Sequence, residues 1–301
     1  MVNNINKKRI RKFNSETVFN IAVNTIGALI CLVVAVPLIF VIVASFSDPE
    51  LVLQGEVLLI PKGITFKAYT LVFENEKIWR AYANTIMYTV LGTTINIVLT
   101  IMAAYPLSRK DLPGRNIFMI IIIITMYFNG GLIPTYLLIR NLGMYNTIWA
   151  MVIPAAISTY NLIIARTFFE NSIPKELYES ALMDGANNIR TLFSIVLPLS
   201  KAIIAVLVLY YGIAQWNSFY PALVYLRDEK LFPLQIILRD ILLLGNTESM
   251  GSNDVGMGEK IKMAEAIKYS VIVISSVPVM LLYPLAQKYF VKGIMIGSVK
   301  G

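Results

Sequence analysis

Long apolar blocks alternate with short polar segments along almost the whole chain. Each of six blocks holds close to the ~20 consecutive apolar residues that a membrane-spanning helix requires. They lie at about Phe19–Ser45, Tyr82–Pro106, Ile117–Ile139, Thr147–Phe169, Leu199–Leu226 and Tyr269–Phe290. The pattern therefore predicts an all-α integral membrane protein with six transmembrane helices.

Residues that weaken helices occur inside three of these blocks. Asn129-Gly130-Gly131 and Pro134 fall within the third block, and Pro154 and Pro221 fall within the fourth and fifth. Glycine and proline are tolerated in membrane helices when neighbouring groups satisfy the freed backbone. We expect bends or breaks in these three spans.

The polar segment between the fourth and fifth blocks is predicted to contain two short helices. Ser172 and Pro174 are suited to begin the first helix, and Gly185 is suited to end it in a left-handed conformation. A second helix is expected from about Asn188, with Pro198 marking the return to the membrane. The first helix has one predicted apolar side, formed by Leu177, Tyr178, Ala181 and Leu182.

The distribution of charge predicts which ends of the spans face the cytoplasm. With six spans, fifteen Lys and Arg fall on the side of the two termini and eleven on the other side, against six and twelve acidic residues. The first side is about +9 and the second about −1. The positive-inside rule therefore places both termini in the cytoplasm. The basic run Lys7-Lys8-Arg9-x-Arg11-Lys12 fits this role, with a nucleic-acid or lipid site as the alternative.

Composition supports a membrane protein and gives little room for catalysis. Hydrophobic residues make up 57% of the 301 residues, charged residues 15%, and the mean hydropathy is +0.68. The net charge of +8 comes from scattered residues, so it does not indicate nucleic-acid binding. There is no histidine, the commonest general base and transition-metal ligand. The single cysteine, Cys31, is predicted to be a small buried hydrophobic residue.

These patterns divide the chain into three parts. Residues 1–18 form a basic cytoplasmic segment, residues 19–291 a six-helix transmembrane domain, and residues 292–301 a cytoplasmic tail. Within the domain, the polar segment occupies about residues 171–198. Phe46–Ala81 and Arg227–Lys268 are predicted to be long external connections.

The spacing within the polar segment resembles the EAA motif of permease subunits of binding-protein-dependent ABC importers. Glu179-Ser180-Ala181 is followed by Gly185, six residues beyond the glutamate, and by Ile195-x-Leu197-Pro198 ten beyond the glycine. Ser180 departs from the alanine often found there. The resemblance implies a MetI-like helical fold and a loop that docks on a cytoplasmic ATPase. The implied coupling residues are Glu179, Ser180, Ala181, Asp184, Gly185, Ala186, Ile195, Leu197 and Pro198.

Three other stretches are similar to the maltose-type carbohydrate branch of this family. The tail from Lys292 to Gly301 resembles the ending of maltose-type permeases, which reaches the ATPases in some members. Trp216-Asn217 is similar to a pair common in sugar permeases. Residues 128–136 resemble the LplC- or YtcP-like oligosaccharide branch. The implied tail contacts are Gly293, Gly297, Val299, Lys300 and Gly301.

Polar and aromatic residues within the spans are candidates for the substrate pathway. Aromatic rings stack on sugar rings and amides meet hydroxyl groups, although these residue types also form interfacial belts and interhelical hydrogen bonds. The candidates are Asn129, Ser158, Tyr160, Asn161, Tyr210, Tyr211, Gln215, Trp216 and Asn217.

The resemblance implies a transport subunit in the bacterial cytoplasmic membrane without its own ATPase site. No Gly-x-x-x-x-Gly-Lys-Ser/Thr loop is present, so ATP and Mg²⁺ are expected on a partner. Expected partners are a second related permease, two ATPase copies, an extracytoplasmic sugar-binding protein and membrane lipids. The sequence predicts no metal and no cofactor on this chain. The alternatives are an amino-acid or peptide importer permease, or a secondary transporter.

Overall fold

A computed structural model describes residues 15–244, 264–265 and 267–281, and within these ranges the chain is helical with no β-strand. Four helices form its first half: α1 (Ser15–Ser45), α2 (Pro49–Leu53), α3 (Lys67–Glu74) and α4 (Glu76–Ser108). Four more follow: α5 (Arg115–Tyr127), α6 (Leu132–Asn141), α7 (Trp149–Val152) and α8 (Thr159–Ser172).

The polar segment and the last spans supply the remaining elements. These are α9 (Lys175–Met183), α10 (Asn188–Thr191), a π-helical turn (Leu192–Val196), α11 (Leu197–Leu199), α12 (Lys201–Trp216), α13 (Tyr220–Tyr225), a 3₁₀ turn (Glu229–Leu231), α14 (Leu234–Leu244) and α15 (Ile267–Leu281).

Only part of the predicted span pattern consists of uninterrupted helices. Among the described residues, α1 and α4 are each long and apolar enough to cross a membrane. Two bent pairs would each qualify if counted as one span, with bends of 111° between α5 and α6 and 83° between the helix ending at Leu199 and α12. The expected bend in the third block is therefore present, at the Gly-Gly pair where helix is least favoured.

All three spans that contain helix-weakening residues are interrupted, as the sequence predicted. The block Ile117–Ile139 is two helices, and Thr147–Phe169 is interrupted between α7 and α8. In Leu199–Leu226, α12 ends at Trp216, where the Asn217 side chain bonds back to the Ile213 carbonyl at 2.9 Å. Hydropathy averages over such breaks, since the flanking residues remain apolar.

Helix α4 is the centre of the fold and packs against α8 and α12. Its buried stripe recurs every three or four residues and includes Thr85, Gly92, Asn96 and Thr100. Small and hydroxyl-bearing residues let membrane helices approach closely and hydrogen-bond to one another. An added Cβ on Gly92 would lie 2.7 Å from Gln215 of α12, which shows how closely these helices pack.

Two regions extend this core. At one end of α4, Tyr88 donates to the Leu231 carbonyl at 2.8 Å and Thr85 accepts from the Leu234 backbone N–H at 2.8 Å. These bonds fix the segment that leads into α14.

Helix α1 makes few contacts with the rest of the described chain, and none of its most apolar stretch is buried. Cys31, predicted to be buried, is exposed on this helix, so that prediction was wrong.

Candidate functional site: the polar loop and the broken spans

Helix α9 ends in a Schellman motif built around Gly185. The Gly185 backbone has φ +70°, its N–H donates to the Leu182 carbonyl at 3.0 Å, and the Ala186 N–H donates to the Ala181 carbonyl at 2.9 Å. These two bonds satisfy carbonyls that a helix end otherwise leaves free. Glycine is favoured at this position because a Cβ penalises the left-handed conformation. The predicted helix end is confirmed.

The start of α9 differs from the prediction. The helix begins at Lys175, Pro174 occupies the position before it, and no side chain caps the first turn. Ser172 is the last residue of α8 and is not the N-cap of α9. Pro174 has φ −58° and an extended ψ of 141°, so it turns the chain between two helices that are only two residues apart.

One side of α9 holds the loop against the rest of the chain. Ala181 is 4% exposed, and the Tyr178 ring packs beside the buried cluster of α4, α8 and α12. The Arg109 guanidinium lies 4.3 Å from the centre of the Tyr178 ring, a cation–π contact. The expected apolar side is therefore narrower than predicted, since Leu177 and Leu182 are exposed.

Four large apolar side chains of the loop are exposed. Leu182 is 74% exposed, Met183 88%, Ile189 68% and Phe193 64%. Several large exposed apolar side chains within one short loop are typical of protein interaction sites. The motif-based coupling candidates included none of these four residues. The signal was available, because large apolar residues flanking an Asp-Gly turn are otherwise unfavourable in water.

The second half of the loop returns as one interrupted helix. The Asn187 side chain caps α10 by accepting from the Arg190 N–H at 2.8 Å. Ile195 and Leu197 are half-buried and Pro198 is exposed, while Val196 between them is fully buried. The π-helical turn ends two residues before Pro198, whose ring and missing N–H disturb regular helical bonding in the preceding turn. The bend of 83° at Ser200 then starts α12.

The remaining loop candidates are exposed. Glu179 and Asp184 face solvent, and the Ser180 hydroxyl donates to the Glu176 carbonyl at 2.8 Å. Serine in place of the common alanine is therefore accommodated within the helix. Gly185 has open space where a Cβ would be.

Charges beside the loop modify two pKa values. Arg109 donates two hydrogen bonds to Asp111, at 3.0 and 3.1 Å, and these lower the pKa of the Asp111 carboxyl. Burial raises the pKa of Tyr178 to about 12, with the nearby Tyr105 adding to the rise and Arg109 opposing it. The Tyr178 hydroxyl has no hydrogen-bond partner among the described residues.

Two helix breaks lie next to each other where α5 ends and α8 begins. Gly131 has φ +88°, and the Asn129 side chain accepts from its N–H at 2.9 Å. The Thr125 and Thr159 hydroxyls are 3.3 Å apart across the two helices. Non-helical backbone is tolerated within a membrane only where it is buried in protein or lines a cavity. These breaks therefore mark polar positions within the spans.

Buried polar side chains satisfy the break before α8. With its amide nitrogen facing two carbonyls, Asn96 donates to Gly92 at 2.9 Å and to Ala156 at 3.2 Å. The Tyr211 hydroxyl accepts from the Ser158 N–H at 3.1 Å and lies 2.6 Å from the Thr100 hydroxyl. Helices α4 and α12 thus stabilise the unwound segment.

The pathway candidates separate into buried and exposed groups. The structure buries Asn161, Tyr211, Gln215 and Trp216, and the Trp216 indole donates to the Ser275 carbonyl at 3.2 Å. Asn129 and Asn217 are exposed, and each forms a hydrogen bond with a backbone group within four residues of itself. Ser158 caps the start of α8. Tyr160 and Tyr210 are 53% and 38% exposed, and their rings stack with centroids 6.4 Å apart. Only these two form an exposed aromatic pair among the candidates.

Some predicted residues lie outside the described parts of the chain. They include the basic N-terminal run and the tail candidates Gly293, Gly297, Val299, Lys300 and Gly301. Within the described ranges, no group of three or more acidic or cysteine residues is placed to hold a metal ion.

The described chain is a helical fold with apolar spans and a capped polar loop between two of them, which is consistent with a transport permease. The family of binding-protein-dependent transport system inner membrane components matches residues 96–296, which is more than half of the chain. The chain belongs to this family. It is therefore a membrane protein, and membership implies an ATPase and a substrate-binding protein as partners.

Individual relatives are similar over nearly their whole length. The polygalacturonan/rhamnogalacturonan transport system permease protein YtcP of Bacillus subtilis is 40% identical, covering 91% of this chain and 94% of YtcP. Protein LplC of Bacillus subtilis is 39% identical, covering 88% and 89%. A crystal structure of a bacterial ABC transporter involved in importing the acidic polysaccharide alginate contains a chain with TM-score 0.82 and 34% identity, covering 92% and 98%.

Proposed function

We propose that this chain is a permease subunit of an ATP-driven importer of oligosaccharides, and that loop 171–198 couples it to the ATPase. The observation that carries the coupling role is the exposed apolar surface of Leu182, Met183, Ile189 and Phe193 beside the capped end of α9. A rigid helix end with unburied apolar groups is suited to dock in a groove of another protein.

The loop candidates have distinct parts in this proposal. Ala181, Gly185 and Ala186 shape the cap, Glu179 and Asp184 offer exposed carboxylates, and Ser180 allows close approach. Ile195, Leu197 and Pro198 fix the return helix. The Tyr178–Arg109 contact holds α9 against the end of α4. A displacement of the loop by the ATPase would therefore be transmitted to the membrane helices.

The oligosaccharide assignment is supported by the relatives and by an aromatic pair. YtcP is named for polygalacturonan and rhamnogalacturonan transport, and a further relative, AraQ of Halalkalibacterium halodurans, for arabinooligosaccharides at 28% identity. These names favour sugars over amino acids or peptides, and over a secondary transporter. Tyr160 and Tyr210 present stacked rings beside the helix breaks, an arrangement suited to a sugar ring.

The remaining expectations belong to the same proposal. Six spans with both termini in the cytoplasm, a second related permease and two ATPase copies would complete the importer. The chain supplies half of the pathway, binds no cofactor, and relies on ATP and Mg²⁺ held by the ATPases. Residues 1–18, 19–291 and 292–301 keep their predicted roles, with Gly293, Gly297, Val299, Lys300 and Gly301 as further ATPase contacts.

Co-purification of the ATPase tests the coupling role. A tagged chain carrying Gly185→Asp should lose the ATPase, because the cap that shapes the surface is disrupted next to the contact. Gly143→Asp is a matched control, since Gly143 ends α6 in the same motif with φ +71° and open space around it. Equal ATPase recovery from Gly185→Asp, Gly143→Asp and the unmodified chain would refute the coupling role.

Uptake measurements test the sugar role separately. Cells expressing Tyr160→Ala with Tyr210→Ala should lose uptake of radiolabelled oligogalacturonides or neutral oligosaccharides that the unmodified chain imports. ATPase recovery should be unchanged, because neither Tyr160 nor Tyr210 belongs to loop 171–198. Tyr136→Ala, at another stacked tyrosine pair, is the control. Undiminished uptake in the double variant would contradict the pathway assignment.

A further inference from the structure

Three charged side chains form a partly buried cluster where α4, α5 and α8 meet. Arg115 at the start of α5 lies 3.0 Å from one oxygen of Glu170, and Arg166 lies 2.7 Å from the other. The three side chains are only 17%, 18% and 18% exposed. Arg166 also donates to the Leu107 carbonyl in the last turn of α4 at 3.3 Å. One carboxylate thus connects three membrane helices.

The cluster occupies the end of the helix that leads into the coupling loop. Glu170 lies in the last turn of α8, and Ile173, buried to 4% exposure, lies between it and the start of α9. A displacement of α9 must therefore pass through this end of α8. Through Tyr178 and Arg109, α9 also contacts the chain just after α4, close to the start of α5.

The balance of charge makes Glu170 the critical member. Two guanidinium groups share one carboxylate, and Arg115 Nη1 has no other partner among the described residues. Buried charges are stable only when they are paired, and removing one partner leaves the others uncompensated. Without the Glu170 charge, Arg115 and Arg166 would repel each other and separate α5 from α8.

We propose that Glu170, Arg115 and Arg166 form a charge clamp that makes α5 move with α8 when the ATPases displace the coupling loop. Glu170 acts here as a positioning residue. The inference rests on the proposed coupling role of the loop. It adds that the motion is passed specifically to α5, the first half of the sharply bent α5–α6 pair.

Distances between spin labels in the purified importer test this clamp. Labels are placed at Asn116→Cys on α5 and Asn171→Cys on α8, both exposed positions, in a Cys31→Ser background. The distance is measured by pulsed electron paramagnetic resonance at rest and after trapping with Mg-ATP and vanadate. With the clamp intact, the distance should keep its resting distribution after trapping. With Glu170→Gln, it should lengthen and broaden after trapping.

Two further variants separate the clamp from a general loss of stability. Arg115→Gln with Glu170→Gln removes the repulsion and should give a distribution closer to the original than Glu170→Gln alone. Glu229→Gln breaks the exposed Lys77–Glu229 pair, 3.0 Å, at the opposite end of α4, and should change nothing. ATPase recovery is measured for each. If the unmodified chain does not co-purify with the ATPase, the result counts against the coupling role of the loop and not against the clamp.

The clamp is refuted by either of two results. In one, the 116–171 distance changes on trapping in the unmodified chain as much as in Glu170→Gln. In the other, Glu170→Gln retains the resting distribution in both states. A lower thermal stability without any change in the trapped distance would assign the cluster a purely structural role and would also overturn the proposal.

Discussion

The contact between Gly92 of α4 and Gln215 of α12 predicts whether an alanine at position 92 stabilises or destabilises the fold. In Gly92→Ala, the new Cβ would lie 2.7 Å from the Cδ and Nε2 atoms of Gln215 and 3.1 Å from its Cγ. Gln215 is 8% exposed, so it has little room to move away. Overpacking a core costs about 1–3 kcal/mol. Replacing glycine by alanine inside a helix returns about 1 kcal/mol.

The net expected loss for Gly92→Ala is therefore about 1 kcal/mol. Gly212→Ala on α12 is the matched control, because its nearest outside atom is the Thr93 hydroxyl at an ordinary 3.8 Å. It should gain up to about 1 kcal/mol from helix propensity alone. The two substitutions are chemically identical, lie on facing helices, and are expected to act in opposite directions.

Thermal unfolding of the detergent-solubilised chain measures both effects. Gln215→Ala in the Gly92→Ala background removes all three crowding atoms, so the double variant should recover the steric part of the loss. A non-additive result of this kind is the signature of direct contact. The reasoning is wrong if Gly92→Ala and Gly212→Ala shift the unfolding temperature equally, or if Gln215→Ala adds its full cost in both backgrounds.

Three shorter predictions concern polar groups and the loop. Asn96→Leu should lower stability by about 1–3 kcal/mol because two buried carbonyls lose their donor, and a milder effect than that of an exposed Asn116→Leu control would contradict this. Tyr178→Phe should unfold like the unmodified chain at neutral pH. Between about pH 10 and 12, the unmodified chain should then lose more stability than the variant, since the raised pKa of Tyr178 favours the folded state only until Tyr178 ionises there. Leu182→Ser with Met183→Ser should weaken ATPase binding about tenfold or more in a titration without lowering thermal stability, and unchanged affinity would remove these side chains from the contact.

The sequence was most informative where backbone chemistry leaves few choices. Gly185 could be placed at a helix end because only glycine adopts positive φ without cost, and the structure has it at +70°. The bend at Asn129-Gly130-Gly131 followed from the same reasoning. In both places, short-range stereochemistry decides the local structure, and one chain contains all the information needed.

Burial could not be predicted in the same way. Tyr211 and Tyr210 are adjacent and have the same hydropathy. Tyr211 is 3% exposed and accepts a hydrogen bond from the Ser158 N–H at the break before α8, whereas Tyr210 is 38% exposed. Their difference depends on which face of α12 meets α4, which hydropathy does not encode.

The prediction that Cys31 is buried was wrong for a related reason. Apolar residues that face lipid and apolar residues that face protein have the same composition, so the sequence does not distinguish them.

The isolated position of α1 has a consequence for the order of events during synthesis. Its aromatic contact within the described residues is between Phe40 and Tyr269. In its final turn, the Ser45 hydroxyl lies 2.8 Å from the Tyr69 hydroxyl, and the Ser45 carbonyl accepts a hydrogen bond from Ser270, 225 residues later, at 3.4 Å. At about 5–20 residues per second, a ribosome needs roughly 10–45 s to make the intervening chain. For that time α1 must remain in the bilayer without its partner from α15. Phe40 of α1 therefore meets Tyr269 only after nearly all of the described chain has been made.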